Sequence, residues 1–393
     1  MMRPASHNFA RTERLCLAAL LLVALVVRAE TTRPLSPQPL DAGVTLTPAA
    51  DPNHFTFAVC GDNRPPARHM AAPPTAVQVF AELRLLQPAL CLWTGDVIYG
   101  SDDSVGEARA EYDAFFATAA QSETPLFNAP GNHEIADRKE LEALYESCVG
   151  PLYGSFDYGH SHFIALDTEE VGQKPGVGKA QRDWLERDLA ANRPAAHIFV
   201  FTHHPLFSKK ENAGFADGAN RDDIHRLFVR YGVKHVFSGH EHLFAQSVHD
   251  GINYIVTGGG GAPSSDSPVD GGFQHYLLLD VNGDKVSFSV FEPWRLFSEL
   301  SPVQPDGSCT ALVSNYRHEL VSVAVQFPTD ALGANAVANA SWTYKGATHP
   351  FESPLEAKIV PSRKPGFTTV RVTVPASRAV MVTLAPEKKD ATK

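Results

Sequence analysis

The sequence predicts an α/β protein with a largely parallel sheet core, followed by a small C-terminal β-sandwich. Three observations predict it. Short apolar runs alternate with stretches of helical spacing over residues 51–298, a hairpin pattern closes that region, and a two-residue apolar period takes over in the last quarter of the chain. With 393 residues, 44 % of them hydrophobic and 20 % charged, the chain has material for a sizeable core. That excludes a wholly disordered or collagen-like chain.

The elements follow in order. Phe55–Cys60 is an apolar strand that stops at Gly61-Asp62. Val79, Phe80, Leu83 and Leu86 then fall at helical spacing before Pro88, and Leu90–Trp93 is a strand ending at Gly95-Asp96. Phe127 leads to Gly131-Asn132-His133-Glu134, and Phe163–Leu166 is a strand followed by the helical set Trp184, Leu185 and Leu189. Ile198–Phe201 runs into His203-His204-Pro205; Ile224, Leu227, Phe228 and Tyr231 repeat the helical spacing; Val236-Phe237 ends at Gly239-His240-Glu241-His242. Strands alternating with helices in this way make βαβ units. Gln274–Asp280 and Lys285–Phe291, joined through Asn282-Gly283, read as a hairpin, so antiparallel strands flank the parallel core. Residues 299–315 read as a linker. Val321, Val323, Val325 and Phe327, then Val370, Val372 and Val374, then Val380, Val382 and Leu384 alternate as in a β-sandwich over 316–386, with a polar tail at 387–393.

The N-terminus reads as an export signal. Arg3, Arg11 and Arg14 precede the apolar run Leu15–Val27, and Val27-Arg28-Ala29 places small residues at cleavage offsets. At about thirteen residues the run is too short to span a bilayer. The expectation is a signal peptide over 1–29, a Pro/Thr/Ala-rich leader over 30–50, and a secreted or periplasmic protein. Removing the first 29 residues, with their four arginines and one glutamate, takes the formal charge from −10 to −13. Such a chain has no electrostatic footprint for nucleic acid or an anionic membrane. Of the remaining cysteines, Cys60 and Cys91 sit in apolar runs as small buried hydrophobes, while a Cys148–Cys309 bridge stays open.

The chemistry concentrates at the strand ends. Asp62, Asp96 with Tyr99, Asn132 with His133, His203, and His240 with His242 each follow an apolar strand. In an open α/β sheet the carboxyl ends of the strands form the ligand crevice, so residues spread over 180 positions meet on one rim. His240 and His242 are two apart, and on an extended segment such residues face the same side. Each piece alone is an ordinary turn or cap; the ordered set is not explained by packing. Carboxylate, imidazole, amide and phenol suit iron, manganese or zinc, and no thiolate belongs to the set. Seven candidate ligands are too many for one open catalytic ion. They suit two ions about 3.5–4 Å apart, the arrangement that clamps a phosphate and generates hydroxide from bound water.

The ordered series Gly61-Asp62, Gly95-Asp96, Gly131-Asn132-His133, His203 and Gly239-His240-Glu241-His242 resembles the calcineurin-like metallophosphoesterases, over roughly residues 51–298. Gly95-Asp96-Val97-Ile98-Tyr99 and Val200-Phe201-Thr202-His203 are similar to motifs of the purple acid phosphatases. The stretch Tyr153–Gly159 leading to His162–Asp167 is similar to their central strand pair. The resemblance implies two packed mixed β-sheets flanked by helices. It implies Asp62, Tyr99 and His242 on a first, ferric ion, Asn132, His203 and His240 on a second ion (Fe²⁺, Zn²⁺ or Mn²⁺), and Asp96 bridging both. It implies His133 as the acid that protonates the leaving alkoxide, with Glu134 orienting the site or capping a helix start. Arg64 stands where the wider superfamily often has a metal-binding histidine; a guanidinium cannot ligate, but its fork matches phosphate. Arg64 and His204 are therefore candidate substrate contacts, each with a structural alternative. The run Gly258–Gly261 reads as a flexible rim loop.

The expected function is an exported phosphatase acting on a small phosphate monoester by attack of metal-bound hydroxide. A phosphodiesterase or nucleotidase on the same centre is the alternative, and a non-catalytic surface protein the third reading. Because the sandwich supplies no candidate ligand, a chain ending near Pro302 is expected to keep its metals and some activity.

Overall fold

The computed structural model describes residues 46–328, 336–342 and 355–387. The expected signal peptide, most of the leader and all but the first residue of the tail lie outside the described residues. Two mixed sheets pack face to face. One has the order β11-β10-β1-β2-β3, built from β1 (His54–Cys60), β2 (Cys91–Trp93), β3 (Leu126–Asn128), β10 (Tyr276–Asn282) and β11 (Lys285–Phe291). The other has the order β4-β5-β6-β7-β9-β8, built from β4 (Gly154–Tyr158), β5 (Ser161–Ala165), β6 (His197–Thr202), β7 (His235–Ser238), β8 (Phe244–His249) and β9 (Ile252–Thr257). The βαβ strands β1–β2–β3 and β5–β6–β7 pair in parallel, whereas the hairpins β10–β11, β4–β5 and β8–β9 pair antiparallel.

Side-chain alternation divides the core into layers. In β1, Phe55, Phe57 and Val59 face the space between the sheets, where they meet Phe163, Phe199, Phe201 and Phe237. Phe57 packs edge-on against Phe163 and Phe199, with ring centroids 5.3 and 4.9 Å away. The intervening Ala58 and Cys60 face outward, onto α1 (Pro74–Leu86) and α2 (Val105–Ala119). The opposite outer layer is α5 (Lys179–Ala191) and α6 (Gly218–Tyr231), whose Trp184, Leu185, Ile224 and Phe228 cover Ile164, Val200 and Val236. The short α3 (Asn132–Ile135) and α4 (Lys139–Cys148) complete the helices. Helix α2, weakly patterned in sequence, starts on a capping box: Ser104 Oγ accepts the Glu107 N–H at 3.3 Å and Glu107 accepts the Ser104 N–H at 2.8 Å.

The C-terminal strands form two antiparallel sheets, β12-β13-β18-β15 and β14-β17-β16, from β12 (Leu296–Leu300), β13 (Cys309–Asn315), β14 (Val321–Pro328), β15 (Ala336–Trp342), β16 (Ala357–Val360), β17 (Phe367–Val374) and β18 (Arg378–Pro386). This corrects the expected linker at 299–315. Its proline and glycine signals belong to 302–308 alone, and β13 pairs along its length with β18 and with β12. The Cys148–Cys309 bridge is not formed either: Cys60, Cys91, Cys148 and Cys309 are free and buried.

The sandwich shares a core with the catalytic half. Val321, Val323 and Val325 of β14 lie in one apolar cluster with Val79 and Leu83 of α1. Glu82 of α1, fully buried, accepts from Tyr276 Oη at 2.7 Å and from the Trp294 N–H at 2.8 Å. Arg363 donates to the Gln87 and Pro88 carbonyls, both at 3.0 Å, where α1 ends. Each buried valine or leucine contributes about 1.5–3 kcal/mol. A chain ending at Ser301 should therefore melt at least ~10 °C below the full chain or be insoluble, reversing the expectation from sequence. Thermal denaturation of both chains checks this; melting within ~3 °C of each other would show the two halves to be independent.

Candidate metal centre

All the strand-end residues singled out in sequence meet on one rim where the two sheets' carboxyl ends face each other. Backbone bonds knit the tips: Asp62 N–H to Gly95 O at 3.0 Å, Gly239 N–H to His203 O at 3.0 Å. Asp62, Asp96 and His240 adopt left-handed φ values of 57°, 57° and 67°. Such conformations cost a non-glycine residue about 1–2 kcal/mol each, and the surrounding packing must enforce them. Gly95, at φ 90°, has no room for a side chain: a Cβ there would stand 2.7 Å from His203 Nδ1 and 2.9 Å from the Gly131 nitrogen.

The donor atoms converge. Asn132 Oδ1 lies 2.9 Å from both His203 Nε2 and His240 Nδ1, and those two ring nitrogens are 3.3 Å apart. Asp96 Oδ1 is 3.4 Å from His203 Nε2, and His242 Nε2 is 3.5 Å from Asp62 Oδ1. Ligand atoms of Asp62, Asp96 and His242 lie within 4.8 Å of one another, as do those of His203, His204 and His240. Two groups of donors, one beside Asp96 and one containing it, fit a pair of hard or borderline cations.

The imidazoles are aimed from behind. His203 Nδ1 is 2.7 Å from the Thr94 carbonyl, and His242 Nδ1 is 2.7 Å from the Pro263 carbonyl. A carbonyl only accepts, so each Nδ1 carries its proton outward and, in the neutral ring, Nε2 presents a lone pair to the centre. His133 is held likewise, Nδ1 standing 2.5 Å from the Tyr99 carbonyl and 2.8 Å from Ser101 Oγ. Its Nε2 faces Asp96 Oδ2 at 3.9 Å, outside both donor groups.

Several functional residues carry little signal in the sequence. Glu134, almost wholly buried, accepts four backbone N–H groups: Gly131 at 2.7 Å, Asp96 at 2.9 Å, Val97 at 2.5 Å and Ile98 at 3.3 Å. It is thus both the cap of α3 and the clamp that joins the Asp96 turn to the Asn132 turn. Glu169 accepts from His204 Nδ1 at 2.5 Å and from the Thr168 hydroxyl at 2.7 Å. Glu241 accepts the Lys209 and Lys210 N–H groups at 3.0 and 2.6 Å. Their only sequence signal is an acidic residue beside a ligand motif.

His204 is buried, with its ring 3.9 Å from that of His240, which removes the outward surface alternative. Arg64 lies at the mouth: its Nε is buried with no hydrogen-bond partner and stands 3.8 Å from Asp96 Oδ2. Tyr99 lies beside His133 and Arg64, its ring 5.7 Å from that of His133 and 5.9 Å from the Arg64 guanidinium carbon. The glycine run is not a loose rim loop: Gly258, Gly259 and Gly260 are buried, and Gly260 N–H bonds the Gly61 carbonyl at 2.9 Å.

Electrostatics point to a cation. Burial works against charge on Asp96, yet His203 and His133 hold its carboxyl below the usual carboxylate range. Burial also opposes charge on His203, but Asp96 and Asp62 hold that imidazole up at about 9. His240, buried and facing His203 and His204, is pushed down to about 2. Protons are therefore a poor counter-charge here, since the facing imidazoles repel one another once both are charged. A multivalent cation compensates the carboxylates without that conflict, and its binding displaces the His203 proton.

Residues 55–244 match the family described as calcineurin-like phosphoesterase. The chain is 29 % identical over 205 residues to a serine/threonine-protein phosphatase CPPED1 of Danio rerio, covering 49 % of this chain and 65 % of that one. It is 26 % identical over 227 residues to Fe(3+)-Zn(2+) purple acid phosphatase 12 of Arabidopsis thaliana, covering 51 % of this chain and 48 % of that one. The chain thus spans about half to two-thirds of these curated relatives. A dimetal phosphatase from Danio rerio has a similar fold, with a TM-score of 0.50, 13 % identity, and 60 % of this chain and 95 % of that chain covered.

Replacing Glu134 by glutamine keeps the shape but leaves one oxygen for four N–H donors and turns an amide N–H₂ against the others. Glu134→Gln is expected to weaken metal binding ~10–100-fold and to destabilise the fold by about 1–3 kcal/mol. Chelator competition and thermal melting read the two effects; an unchanged metal affinity would remove Glu134 from the positioning of the rim.

Proposed function

We propose that this chain, whose residues 55–244 match the calcineurin-like phosphoesterases, is an exported, metal-dependent phosphatase of phosphate monoesters. Asp62, Tyr99 and His242 would hold one ion and Asn132, His203 and His240 the other, with Asp96 shared between them. Iron with zinc is the pairing favoured by the name of the Arabidopsis relative. When bound, such ions lower the pKa of water and offset phosphate charge.

The residues divide the remaining work. Arg64, with an unpartnered buried N–H beside Asp96, receives a phosphate oxygen. His204, locked by Glu169 and Thr168, lines the same opening and contacts the ester. His133 gives the leaving oxygen its proton from Nε2. The observation that carries this reading is His133 itself. A histidine aimed from behind at the shared carboxylate, but excluded from both donor groups, serves no purpose in mere metal storage. Burial pushes its imidazole below the ordinary value, against the pull of Asp96. The protonated acid is therefore plentiful only at acid pH, and turnover of poor leaving groups falls as pH rises through that depressed pKa.

Purified protein assayed on a phosphomonoester and a phosphodiester, with and without chelator, tests the activity. His133→Ala is expected to keep its metals while slowing alkyl phosphates ~10²–10⁴-fold and to flatten the alkaline limb of their rate profile. Highly activated aryl phosphates, which need little protonation, should lose far less. Equal losses on both classes, or loss of metal, would sink the acid assignment.

A phenolate on ferric iron absorbs visible light, and a phenol packed nearby does not. The purified protein is expected to be coloured, and Tyr99→Phe to bleach it with the fold intact. A colourless protein with two zinc or manganese ions, fully active and indifferent to Tyr99→Phe, refutes the ligand role of Tyr99.

A further inference from the structure

The loop that begins at Asp96 takes its hydrogen bonds from side chains rather than from a ladder. Its consecutive N–H groups from Asp96 to Gly100 end on two carboxylates. Asp96, Val97 and Ile98 donate to Glu134, while Tyr99 and Gly100 donate to Glu111 of α2 at 2.8 and 3.1 Å. The last two bonds share one oxygen, Glu111 Oε2. N–H groups of a turn withdrawn from water need partners, and an ionised acceptor makes a bond roughly twice as strong as a neutral one. Glu111 therefore does for the Tyr99–Gly100 end of the loop what Glu134 does for the Asp96 end. Nothing in the sequence pattern marks it: it is one of several acidic residues on an amphipathic helix.

The Glu111 end of the loop is also the end that holds His133. The Tyr99 carbonyl stands 2.5 Å from His133 Nδ1, with Ser101 Oγ at 2.8 Å, and the Ser101 N–H donates to the His133 carbonyl at 2.9 Å. Gly100, buried and at φ 54°, allows this approach, since a Cβ there would run into the His133 carbonyl. The Gly100 N–H and the Tyr99 carbonyl belong to one peptide unit, which is planar, so they move together. Glu111 fastens that unit by its N–H, and the imidazole hangs from its carbonyl. A carboxylate on the N–H also polarises the peptide and makes the carbonyl a better acceptor. The loop is held from a second helix as well: Arg138, just ahead of α4, donates from Nη1 to the Ser101 and Asp103 carbonyls at 3.3 and 2.6 Å.

We propose that Glu111 is a positioning residue for His133: through the Tyr99–Gly100 peptide it orients the carbonyl that holds Nδ1, and so aims Nε2 at Asp96 and the ester beside it. The inference deepens the phosphatase reading above, on which its kinetic test rests. Glu111 touches neither ester nor metal. Its effect reaches the reaction only through the tautomer and the direction of one imidazole.

The test compares variants of the full chain. Glu111→Ala removes the acceptor with the best helix former, so α2 itself is not threatened. Glu111→Gln keeps an oxygen for both N–H groups and can turn its N–H₂ to Asp103, which stands beside that carboxyl. In Glu111→Ala, kcat for an alkyl phosphate should fall ~10–100-fold, as when a reacting group is misplaced by about 1 Å, and an activated aryl phosphate should lose under ~3-fold. Glu111→Gln should restore the alkyl rate to within ~3-fold of the parent. An alkyl-to-aryl ratio unchanged in Glu111→Ala, or a folded Glu111→Gln as slow as Glu111→Ala, overturns the proposal. Should Glu111→Ala not fold, Glu111→Asp, whose carboxylate stands ~1.5 Å further back, replaces it with the same loss of ratio expected. Long-range ¹H–¹⁵N NMR of His133 in the metal-free chain, in mildly alkaline solution, reads the same effect without catalysis. The parent and Glu111→Gln should show the ring protonated at Nδ1, and Glu111→Ala or Glu111→Asp a mixture of tautomers. A tautomer unchanged in those two overturns the proposal. Should no ester turn over, the phosphatase reading fails, and the NMR result alone decides the role of Glu111.

Discussion

The geometry of the rim hangs on one buried carboxylate. Glu134 gathers four backbone N–H groups from two turns that follow different strands, and so fixes Asp96 and Asn132 relative to each other. Burial and the nearby Asp96 push its carboxyl up to about 7, so the N–H donors are working against the cost of keeping it charged. The left-handed backbone at Asp62, Asp96 and His240 is tolerable only because such bonds over-determine these turns. Without the clamp, two ligand turns would relax toward ordinary conformations and the donors would separate.

A second constraint runs between the sheets. His203 directly follows β6 of the six-stranded sheet and Thr94 directly follows β2 of the five-stranded one, and the bond between them spans the seam that the phenylalanine layer fills below. The apolar packing sets the distance between the sheets; the bond reads that distance out as the position of Nε2. A cavity in the phenylalanine layer would therefore be felt at the donor atoms of the rim.

The C-terminal sandwich belongs to the same mechanical unit. Its described residues supply no donor, yet Val321, Val323 and Val325 share an apolar cluster with α1, and Glu82 of α1 accepts the Trp294 N–H just ahead of β12. The segment that follows His204 is tied to the His240–His242 turn in the same manner, Glu241 accepting the Lys209 and Lys210 N–H groups. In each case a buried acidic side chain takes backbone N–H groups from a separate segment, so position is transmitted by hydrogen bonds rather than by shape alone.

The sequence by itself determined the alternating elements, the two-sheet class through its resemblance, and which strand-end residues gather at one rim. These are legible because strand period, helix spacing and Gly-Asp or Gly-His punctuation are local. Phe57 and Ala58 show it: as neighbours on one strand, they must point to opposite layers of the core. Only the tertiary structure decided that 309–315 is a strand and not a linker, that Cys148 and Cys309 stay apart, that the glycine run is packed, and that His204 turns inward. Each of these depends on a partner far away in the chain, as β13 does on β18 some seventy residues later. Apart from Glu134, which the sequence offered as an orienting group or a helix cap, the orienting groups were invisible for the same reason. Thr94 and Pro263 act through backbone carbonyls, which carry no residue identity, and Glu134, Glu169 and Glu241 gain their meaning only from the N–H groups or the ring that folding brings to them.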